Sequence, residues 1–204
     1  MTETNAISKR RIVFVMNPIS GTQGKRTILR YIHQLMDRER CDYQLVRTKY
    51  AGHATEIAKQ AVDEGVDMVV AIGGDGTINE IAKALVHSNT ALGIIPCGSG
   101  NGLARHLRIP MEPKAAVELI NSGKRLCIDY GKINGLPFFC TCGVGFDAFV
   151  SLKFADSGKR GLLTYLENTL HESLTYKPET YEIENEEGTQ RYNAFLIACG
   201  NASQ

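Results

Sequence analysis

The sequence lacks the long apolar segments that membrane-spanning and exported proteins carry. Its opening residues, MTETNAISKRR, are polar and charged and contain no apolar leader core. No stretch reaches the roughly 18 uninterrupted apolar residues that a membrane-spanning helix requires. We therefore expect a cytoplasmic protein with no transmembrane segment and no export signal.

The sequence also lacks an excess of charge of either sign. The formal net charge is +1, so the field of the whole molecule gives no reason to expect a nucleic-acid partner. The basic clusters are short and far apart in the chain: Lys9-Arg10-Arg11, Lys124-Arg125 and Lys159-Arg160. Any basic site must therefore be local.

A zinc motif is absent although the chain contains six cysteines. Cys140-Thr-Cys142 has neither a second cysteine pair nor nearby histidines. Cysteine is among the residue types most often found buried, so we expect buried, reduced thiols, which agrees with the cytoplasm. The cysteines are Cys41, Cys97, Cys127, Cys140, Cys142 and Cys199.

Two apolar patterns alternate in strict order through the first 123 residues. Short apolar runs without polar alternation are typical of strands covered on both faces. They occupy residues 11–17, 43–48, 67–72 and 91–96. Between them apolar residues recur at helical spacing, as at Ile28, Ile32 and Leu35, and a last helix should stop at Gly123. This alternation predicts an α/β fold, with a doubly wound parallel sheet as the N-terminal domain, residues 1–123.

The pattern changes after residue 124 and predicts a second, β-rich domain over residues 124–204. Asn134-Gly135 between apolar runs predicts a hairpin, and a Glu-Glu-Gly turn at 186–188 separates two further strands. One helix is predicted from about residue 162 to 176 by its leucine spacing. A strand that runs almost to Gln204 would leave an unprotected sheet edge, so we expect this domain to be truncated.

Polar or glycine-rich segments follow all four predicted strands of the first domain. In open α/β sheets, ligands bind beyond the carboxyl ends of the strands, and glycines before a helix N-terminus let a phosphate approach the backbone. Asp75 beside bound phosphates would suit a magnesium ion or an attacking hydroxyl. The structural alternative is that the glycines only turn the chain and Asp75 caps a helix beginning near Thr77. The segments are residues 17–21, Thr48 with 52–54, 73–77 and 96–102.

Two better-known phosphate motifs do not fit. Gly21 to Lys25 has neither the glycine spacing of a P-loop nor a Ser or Thr after the lysine. Gly98-Ser-Gly100-Asn-Gly102 follows a strand, but Leu103 stands where a dinucleotide fingerprint needs its third glycine. Neither the P-loop nor the dinucleotide fold is therefore indicated.

The ordered set of motifs resembles the diacylglycerol kinase catalytic-domain family, which includes bacterial lipid kinases and the sphingosine and ceramide kinases. The motifs are Asn-Pro-x-Ser-Gly at 17–21, Thr48 with Gly-His-Ala at 52–54, Gly-Gly-Asp-Gly-Thr-Ile-Asn-Glu at 73–80, and Pro-x-Gly-Ser-x-Asn-x-Leu-Ala-Arg at 96–105. The resemblance runs from residue 11 to the end of the chain. Segments 144–147 and 159–161 are also similar to family segments.

The resemblance implies a kinase that uses ATP and Mg²⁺ to phosphorylate a lipid hydroxyl, in a cleft between an α/β domain and a β-sandwich-like domain. It implies that Asp75 is the key carboxylate, that Asp129 joins a carboxylate network and that Asp147 meets the polar head of the lipid. Lys159 and Arg160 would neutralise phosphate charge or form a solvated basic pair. Which residues hold the metal stays open. The nucleotide-binding residues that it implies are Asn17, Pro18, Ser20, Gly21, Thr48, Gly73, Gly74, Asp75, Gly76, Thr77, Asn79, Glu80, Gly98, Ser99, Asn101, Lys159 and Arg160.

This chain departs from the family pattern at two points. Many bacterial members have Asp where this chain has Gly102, so we expect part of the metal-linked carboxylate network to be absent, as in the sphingosine-kinase branch. The general-base glutamate proposed for the family lies in a later segment than this chain contains. We therefore expect a fragment of a longer lipid kinase, able to bind nucleotide without turnover.

Two other functions stay open at this point. An NAD kinase resembles the chain in fold and in its Gly-Gly-Asp-Gly-Thr loop, although Ile78-Asn79-Glu80 follows that loop as in the lipid kinases. A regulatory module that binds ATP without catalysis is the second alternative. His53 is expected to be only a hydrogen-bonding loop residue.

The acceptor lipid is equally open among diacylglycerol, sphingoid base, ceramide and undecaprenol. A lipid acceptor would bring the protein to the inner face of the membrane through apolar and basic residues of the second domain. Phe146, Phe149, Val150 and Phe154 are candidates, although core packing is the commoner use of such side chains. A homo-oligomer is not excluded.

Overall fold

The computed structural model describes residues 9–20, 24–156 and 176–202, with the backbone alone for residues 153–156. The chain divides into two compact units, residues 1–140 with 201–204, and residues 141–200. The domain boundary predicted near residue 124 lies inside the first unit, and the assignment of residues to domains stays a prediction.

The first unit is built on four parallel strands, β1 (Arg10–Met16), β2 (Cys41–Arg47), β3 (Met68–Gly73) and β4 (Ala91–Pro96). Their order in the sheet is β2-β1-β3-β4. On β1, Phe14 lies opposite Leu45 of β2 and Val70 of β3. The four predicted strands are confirmed, each within about two residues of its predicted bounds.

Helices cover both faces of this sheet: α1 (Lys25–Leu35), α2 (His53–Asp63), α3 (Asp75–Leu85), α4 (Gly102–His106) and α5 (Pro113–Ser122). Because successive strand residues point to opposite faces, Phe14 packs in the cluster that contains Ile28 of α1 and Val117 of α5. Val15 packs on the other face with Ile81 of α3 and Leu103 of α4. Both faces are apolar, which explains the uninterrupted apolar strands and confirms the doubly wound α/β fold.

Helix α5 shows how local sequence sets the ends of a helix. It begins where the Glu112 side chain accepts hydrogen bonds from the amides of Lys114 and Ala115, and Pro113 occupies the first turn. It stops at Gly123 as predicted, but not through a left-handed residue, since φ of Gly123 is −64°. A Cβ there would lie 2.6 Å from the Leu119 carbonyl oxygen, so the glycine permits a close approach.

The segment that follows α5 forms the predicted hairpin, β5 (Gly131–Ile133) and β6 (Leu136–Phe138). Asn134 and Gly135 both have positive φ, 48° and 78°. Two successive positive φ values are what a type I′ turn requires. The Asn-Gly signal therefore predicted both the position and the kind of turn.

The second unit contains β7 (Thr141–Gly145), α6 (Phe146–Asp156), β8 (Glu179–Asn185), β9 (Gly188–Ala194) and β10 (Leu196–Gly200). Strands β8 and β9 form a hairpin, and β7 pairs antiparallel with β10. The β-rich character predicted for this region is confirmed. The helix predicted over 162–176 falls outside the described residues except at Tyr176, which is not helical.

Helix α6 was not predicted, because apolar residues occur on all of its sides and give no amphipathic pattern. Phe146 and Val150 of this helix are buried, with 7% and 1% of their surface exposed. Phe146 also packs on Phe195, with ring centroids 4.6 Å apart. Core packing is therefore the confirmed use of these two side chains, while the side chain of Phe154 lies outside the described part of the chain.

No disulfide bond joins the six cysteines, and they are not all buried. Cys41 and Cys97 lie in the core of the first unit, whereas Cys127 and Cys199 are exposed. The expectation of buried thiols was wrong for these two because Cys127 lies in an irregular segment and Cys199 on a two-stranded ladder.

Within the described residues no helix is long and apolar enough to cross a membrane.

Candidate active site at the carboxyl edge of the sheet

The sheet order places a crevice between β1 and β3. From β1 the chain turns to one face of the sheet through α1, and from β3 it turns to the other face through α3. The two strands are neighbours in register, with Met16 opposite Ile72, and the Asn17 amide continues the ladder by donating to Ile72 O at 3.2 Å. Ligands of open α/β sheets bind in such a crevice.

Asn17 and Thr77 join the two chain segments that leave β1 and β3. The Asn17 Nδ2 donates to Thr77 Oγ1 at 3.2 Å, and Thr77 is 5% exposed. A Cβ on Gly73 would lie 2.6 Å from the Thr77 side chain. Gly73 is therefore needed for packing against Thr77, and the hydrogen bond joins the loop after β1 to the first turn of α3.

The backbone carbonyl of Asn17 accepts two hydrogen bonds from side chains. Ser20 Oγ donates to it at 3.1 Å, and Lys25 Nζ, from the first turn of α1, also donates to it. Lys25 was not among the predicted site residues. The signal that could have found it was the lysine directly after a glycine-containing loop, in the segment that failed as a P-loop. Gly21 itself lies outside the described residues.

Asp75 is the first residue of α3, and its exposed side chain bridges to a different helix. Its Oδ2 accepts from the Asn101 amide at 2.8 Å, and its Oδ1 accepts from the Gly102 amide at 2.7 Å. The N-cap of α3 is Gly74, which has no side chain to offer. The alternative that Asp75 caps its own helix was therefore wrong, because the carboxylate satisfies the amides that begin α4.

The glycines of this region have two different uses. Gly74 and Gly98 are in close contact, since a Cβ on Gly98 would lie 2.7 Å from Gly74 Cα. A Cβ on Gly100 would lie 3.0 Å from Asp75 Oδ2. These three glycines bring two loops together. A Cβ on Gly76 would meet nothing within 4 Å, so Gly76 is the glycine that leaves open space beside the backbone.

Glu80 lies one turn further along α3 and connects to α2. Its Oε2 accepts from the Ala54 amide at 3.3 Å, and its carbonyl accepts from Thr55 Oγ1 at 2.9 Å. Because Gly52, the N-cap of α2, has no side chain, the carboxylate of Glu80 takes the place of a capping residue. His53 Nδ1 accepts from the Lys49 amide at 3.1 Å, which confirms its expected hydrogen-bonding use.

The remaining predicted residues are spread over both units. In the first unit, Thr48 is buried and donates its amide to Met16 O at 2.9 Å, Pro18 and Ser99 are exposed, and Asn79 is half-buried. Asp129 is exposed, its carbonyl accepts from Asn201 Nδ2 at 2.9 Å, and it lines a cavity of about 200 Å³ beside Leu103 and His106 of α4.

Asp147 is the one described site residue that does not lie in the first unit, because it belongs to the first turn of α6 in the second unit. Lys159 and Arg160 lie outside the described residues. The structure thus gathers Asn17, Ser20, Thr77, Asp75 and Asn101 at one edge of the first unit. Their contact with a nucleotide stays a prediction.

Asp75 also has the chemistry that a magnesium ion prefers. Magnesium in proteins is usually bound by one or two carboxylates together with substrate phosphates and water. A carboxylate has about four lone-pair sites, and the two amides occupy two of those of Asp75. No group of three or more His, Cys, Asp or Glu side chains that could hold a metal occurs in the part of the chain that the structure describes.

Comparison with known proteins defines the class of protein. The sequence profile of the diacylglycerol kinase catalytic domain matches residues 11–133, which is more than half of the chain. The chain therefore belongs to the diacylglycerol kinase catalytic domain family. This membership favours the lipid kinase interpretation over the NAD kinase alternative.

Two curated relatives show how far the similarity extends. The protein from Klebsiella pneumoniae (strain 342) named "Probable lipid kinase YegS-like" is 32% identical over 191 residues, 91% of this chain and 64% of that protein. "Diacylglycerol kinase" of Bacillus subtilis (strain 168) is 37% identical over 140 residues, 67% of this chain and 46% of that protein. The chain thus spans less than two thirds of the length of these relatives.

Solved structures share the fold over nearly the whole chain. A crystal structure of a diacylglycerol kinase from Bacillus anthracis str. Sterne matches with a TM-score of 0.71 at 25% identity, over 95% of this chain and 67% of that one. A further crystal structure from the same organism matches with a TM-score of 0.77 at the same identity and coverage. The similarity includes the described parts of both compact units.

Proposed function

We propose that this chain is the nucleotide-binding part of an ATP-dependent lipid kinase, which transfers the γ-phosphate to a lipid hydroxyl. One helix follows each strand of the sheet, and the proposal rests on which of these four helices has a carboxylate that accepts hydrogen bonds from its first amides. In α2 the Ala54 amide donates to Glu80, and at the start of α4 the Asn101 and Gly102 amides donate to Asp75. The helices α1 and α3 are preceded by Gly24 and Gly74, which offer no capping side chain.

The helices α1 and α3, whose N-cap glycines make no side-chain cap within the described residues, flank the crevice between β1 and β3. Helix N-termini present unsatisfied amides and a positive dipole end, and phosphates bind there. The first turn of α1 carries Lys25 and Arg26 and no acid, an arrangement that opposes the helix dipole unless an anion is present. A triphosphate between α1 and α3 supplies that anion, so the charge pattern supports ATP as the nucleotide.

Asp75 supplies the negative charge of the proposed site. Two amides fix the orientation of its carboxylate, while the side chain stays exposed and keeps acceptor sites for a ligand. With Mg²⁺ bound, the ion would neutralise charge on the phosphates. In this proposal Asp75 holds the ion or takes the proton of the lipid hydroxyl, and the metal dependence of the residual rate in Asp75→Asn separates these two uses.

Asp129 and Asp147 have supporting roles in the proposal. Asp129 lies beside α4, the helix whose amides hold Asp75, and it would join the carboxylate network. Asp147 would contact the polar head of the lipid. A lipid acceptor requires the site to meet a bilayer, so the protein would act in the cytoplasm, at the inner face of the membrane.

The test is a transfer assay with the full-length protein that contains this sequence. The protein is incubated with γ-labelled ATP, Mg²⁺ and mixed micelles of diacylglycerol, sphingosine, ceramide or undecaprenol, and separately with NAD. We expect label in an extractable lipid, lost in Asp75→Asn and kept in the matched control Asp63→Asn, an exposed aspartate at the far end of α2.

The other outcomes would replace the proposal. Label in NADP would make the protein an NAD kinase, and binding of ATP without any labelled product would make it a regulatory module. Transfer that survives in Asp75→Asn at the wild-type rate would remove Asp75 from the mechanism.

A further inference from the structure

Asn101 has a backbone conformation that few residues adopt. It connects β4 to α4 with φ 56° and ψ 43°, in the left-handed region, and only 6% of its surface is exposed. Asparagine tolerates this region better than other residues with a Cβ, because its short polar side chain can hydrogen-bond locally.

The side chain of Asn101 hydrogen-bonds to the backbone of a single residue, Gly98. Its Oδ1 accepts from the Gly98 amide at 2.8 Å, and its Nδ2 donates to Gly98 O at 2.7 Å. Both polar atoms of the side chain are therefore engaged by the loop in which it lies. With so little surface exposed, this side chain is poorly placed to contact a nucleotide.

The backbone of Asn101 does reach the proposed site. A left-handed residue followed by a helical one turns two successive amides to the same side, which makes a concave anion site. Here the anion is the Asp75 carboxylate, since the amides of Asn101 and Gly102 donate to its two oxygens at 2.8 and 2.7 Å. The bonds to Gly98 hold the loop in the conformation that makes this possible.

We propose that Asn101 is a positioning residue that sets the orientation of the Asp75 carboxylate and makes no contact with the nucleotide. This inference rests on the proposed phosphoryl transfer and replaces the nucleotide contact that the family resemblance implied for Asn101. It predicts that changes at residue 101 alter the rate of transfer and leave the binding of ATP nearly unchanged.

Asn101→Gly is the informative variant because glycine adopts the left-handed conformation without strain. It keeps both amides and deletes only the side-chain bonds to Gly98. We expect kcat to fall about tenfold or more, while KM for ATP stays within about threefold, since an interaction used only in the transition state changes kcat. A rise of tenfold or more in KM for ATP with kcat unchanged would overturn the inference.

Asn121 provides a matched control far from the site. Its Oδ1 accepts from the Asp37 amide at 3.2 Å and its Nδ2 donates to Leu35 O at 2.7 Å, so that, like Asn101, it accepts one backbone bond and donates another. Asn121→Ala should lower the melting temperature without changing kcat. An equal fall of kcat in both variants would show that the effect of residue 101 is only one of stability.

A readout without turnover separates this inference from the proposed function. Hydrogen exchange of the Gly102 amide, followed by NMR in the full-length protein without nucleotide, should be faster in Asn101→Gly than in the wild type. Unchanged protection in Asn101→Gly would overturn the positioning role even if the protein is an active kinase. Absence of transfer in the wild type, with protection lost as expected, would contradict only the proposed function.

Discussion

The two edges of the parallel sheet use their carboxylates differently. At the amino edge, Asp67 accepts from the Arg11 amide at 2.9 Å and also lies 3.7 Å from the Arg125 guanidinium. At the carboxyl edge, Asp75 and Glu80 accept hydrogen bonds from neutral backbone amides. A cation offsets the charge of a carboxylate, whereas an amide orients the carboxylate and leaves its full charge. At the amino edge the charge of Asp67 is thus offset by an ion pair within the protein. At the carboxyl edge the carboxylates keep charge that can act on a ligand.

A second contrast exists within the carboxyl edge itself. Asp75 is exposed, whereas Glu80 is half-buried between α2 and α3. Both residues belong to the motif that the family resemblance assigns to nucleotide binding. Their surroundings agree with the chemical role proposed for Asp75, and they suit Glu80 to the packing of two helices.

The largest expected effect is that of Asp75→Asn. Removing the charge should lower kcat by about 10²- to 10⁴-fold, the usual contribution of a positioned acid or base. The protein should still fold, because the amide keeps the shape of the side chain and one acceptor oxygen. Steady-state kinetics with a circular dichroism spectrum checks both statements. A kcat within threefold of the wild-type value would contradict the role of Asp75.

Gly98→Ala and Gly76→Ala should separate the two uses of glycine at this edge. The Cβ at residue 98 would lie 2.7 Å from Gly74 Cα, and such overpacking destabilises by roughly 1–3 kcal/mol. The Cβ at residue 76 has open space, and alanine in a helix is favoured over glycine by about 1 kcal/mol.

Thermal melts and ATP titrations distinguish the two variants. Gly98→Ala should melt several degrees lower, at about 2–4 °C per kcal/mol for a chain of this size. Gly76→Ala should melt no lower than the wild type but bind ATP less tightly, because its methyl group occupies the space offered to a phosphate. Unchanged ATP affinity in Gly76→Ala would move the phosphates away from α3.

Glu80→Gln should have a smaller effect, on stability alone. Loss of the charge near the first turn of α2 should destabilise by about 0.3–1 kcal/mol, the usual size of a charge interaction with a helix end. KM for ATP should change by less than about twofold. A tenfold rise in KM would restore Glu80 to the nucleotide site, as the family resemblance implied.

The smallest effect is expected for Asp67→Asn at the amino edge. Its pair with Arg125 is solvent-exposed, with side-chain exposures of 42% and 55%, and such pairs contribute about 0–1 kcal/mol. Chemical denaturation should therefore show a small loss, and kcat should not change. A large loss of kcat would mean that the two edges are not functionally distinct.

Much of the first unit could be predicted because its signals are local. The strands are continuous apolar runs, the Asn134-Gly135 turn is set by two adjacent residues, and Gly123 stops its helix within one turn. Helix α6 could not be predicted, since its apolar residues follow no helical stripe. Cys199 was misjudged because burial depends on how many layers cover a strand, which the sequence of that strand does not specify.

The partners of the site residues were beyond prediction for a different reason. Asp75 and the amide of Asn101 are separated by 26 residues, as are Ala54 and Glu80. Only the strand order brings these loops together, so neither the capping of α4 by Asp75 nor that of α2 by Glu80 can be deduced from spacing. The family resemblance named segments that the structure brings to one edge, but not what each side chain contacts.

The most direct test of the proposed phosphate site is an NMR titration of the ¹⁵N-labelled full-length protein with a non-hydrolysable ATP analogue and Mg²⁺. If the triphosphate lies between α1 and α3, the amide signals of Gly76 and Thr77 should shift most. The signal of Ala54, whose amide donates to Glu80, should move little. Large shifts of Ala54 with Gly76 and Thr77 unchanged would contradict the proposed site and place the phosphates at α2.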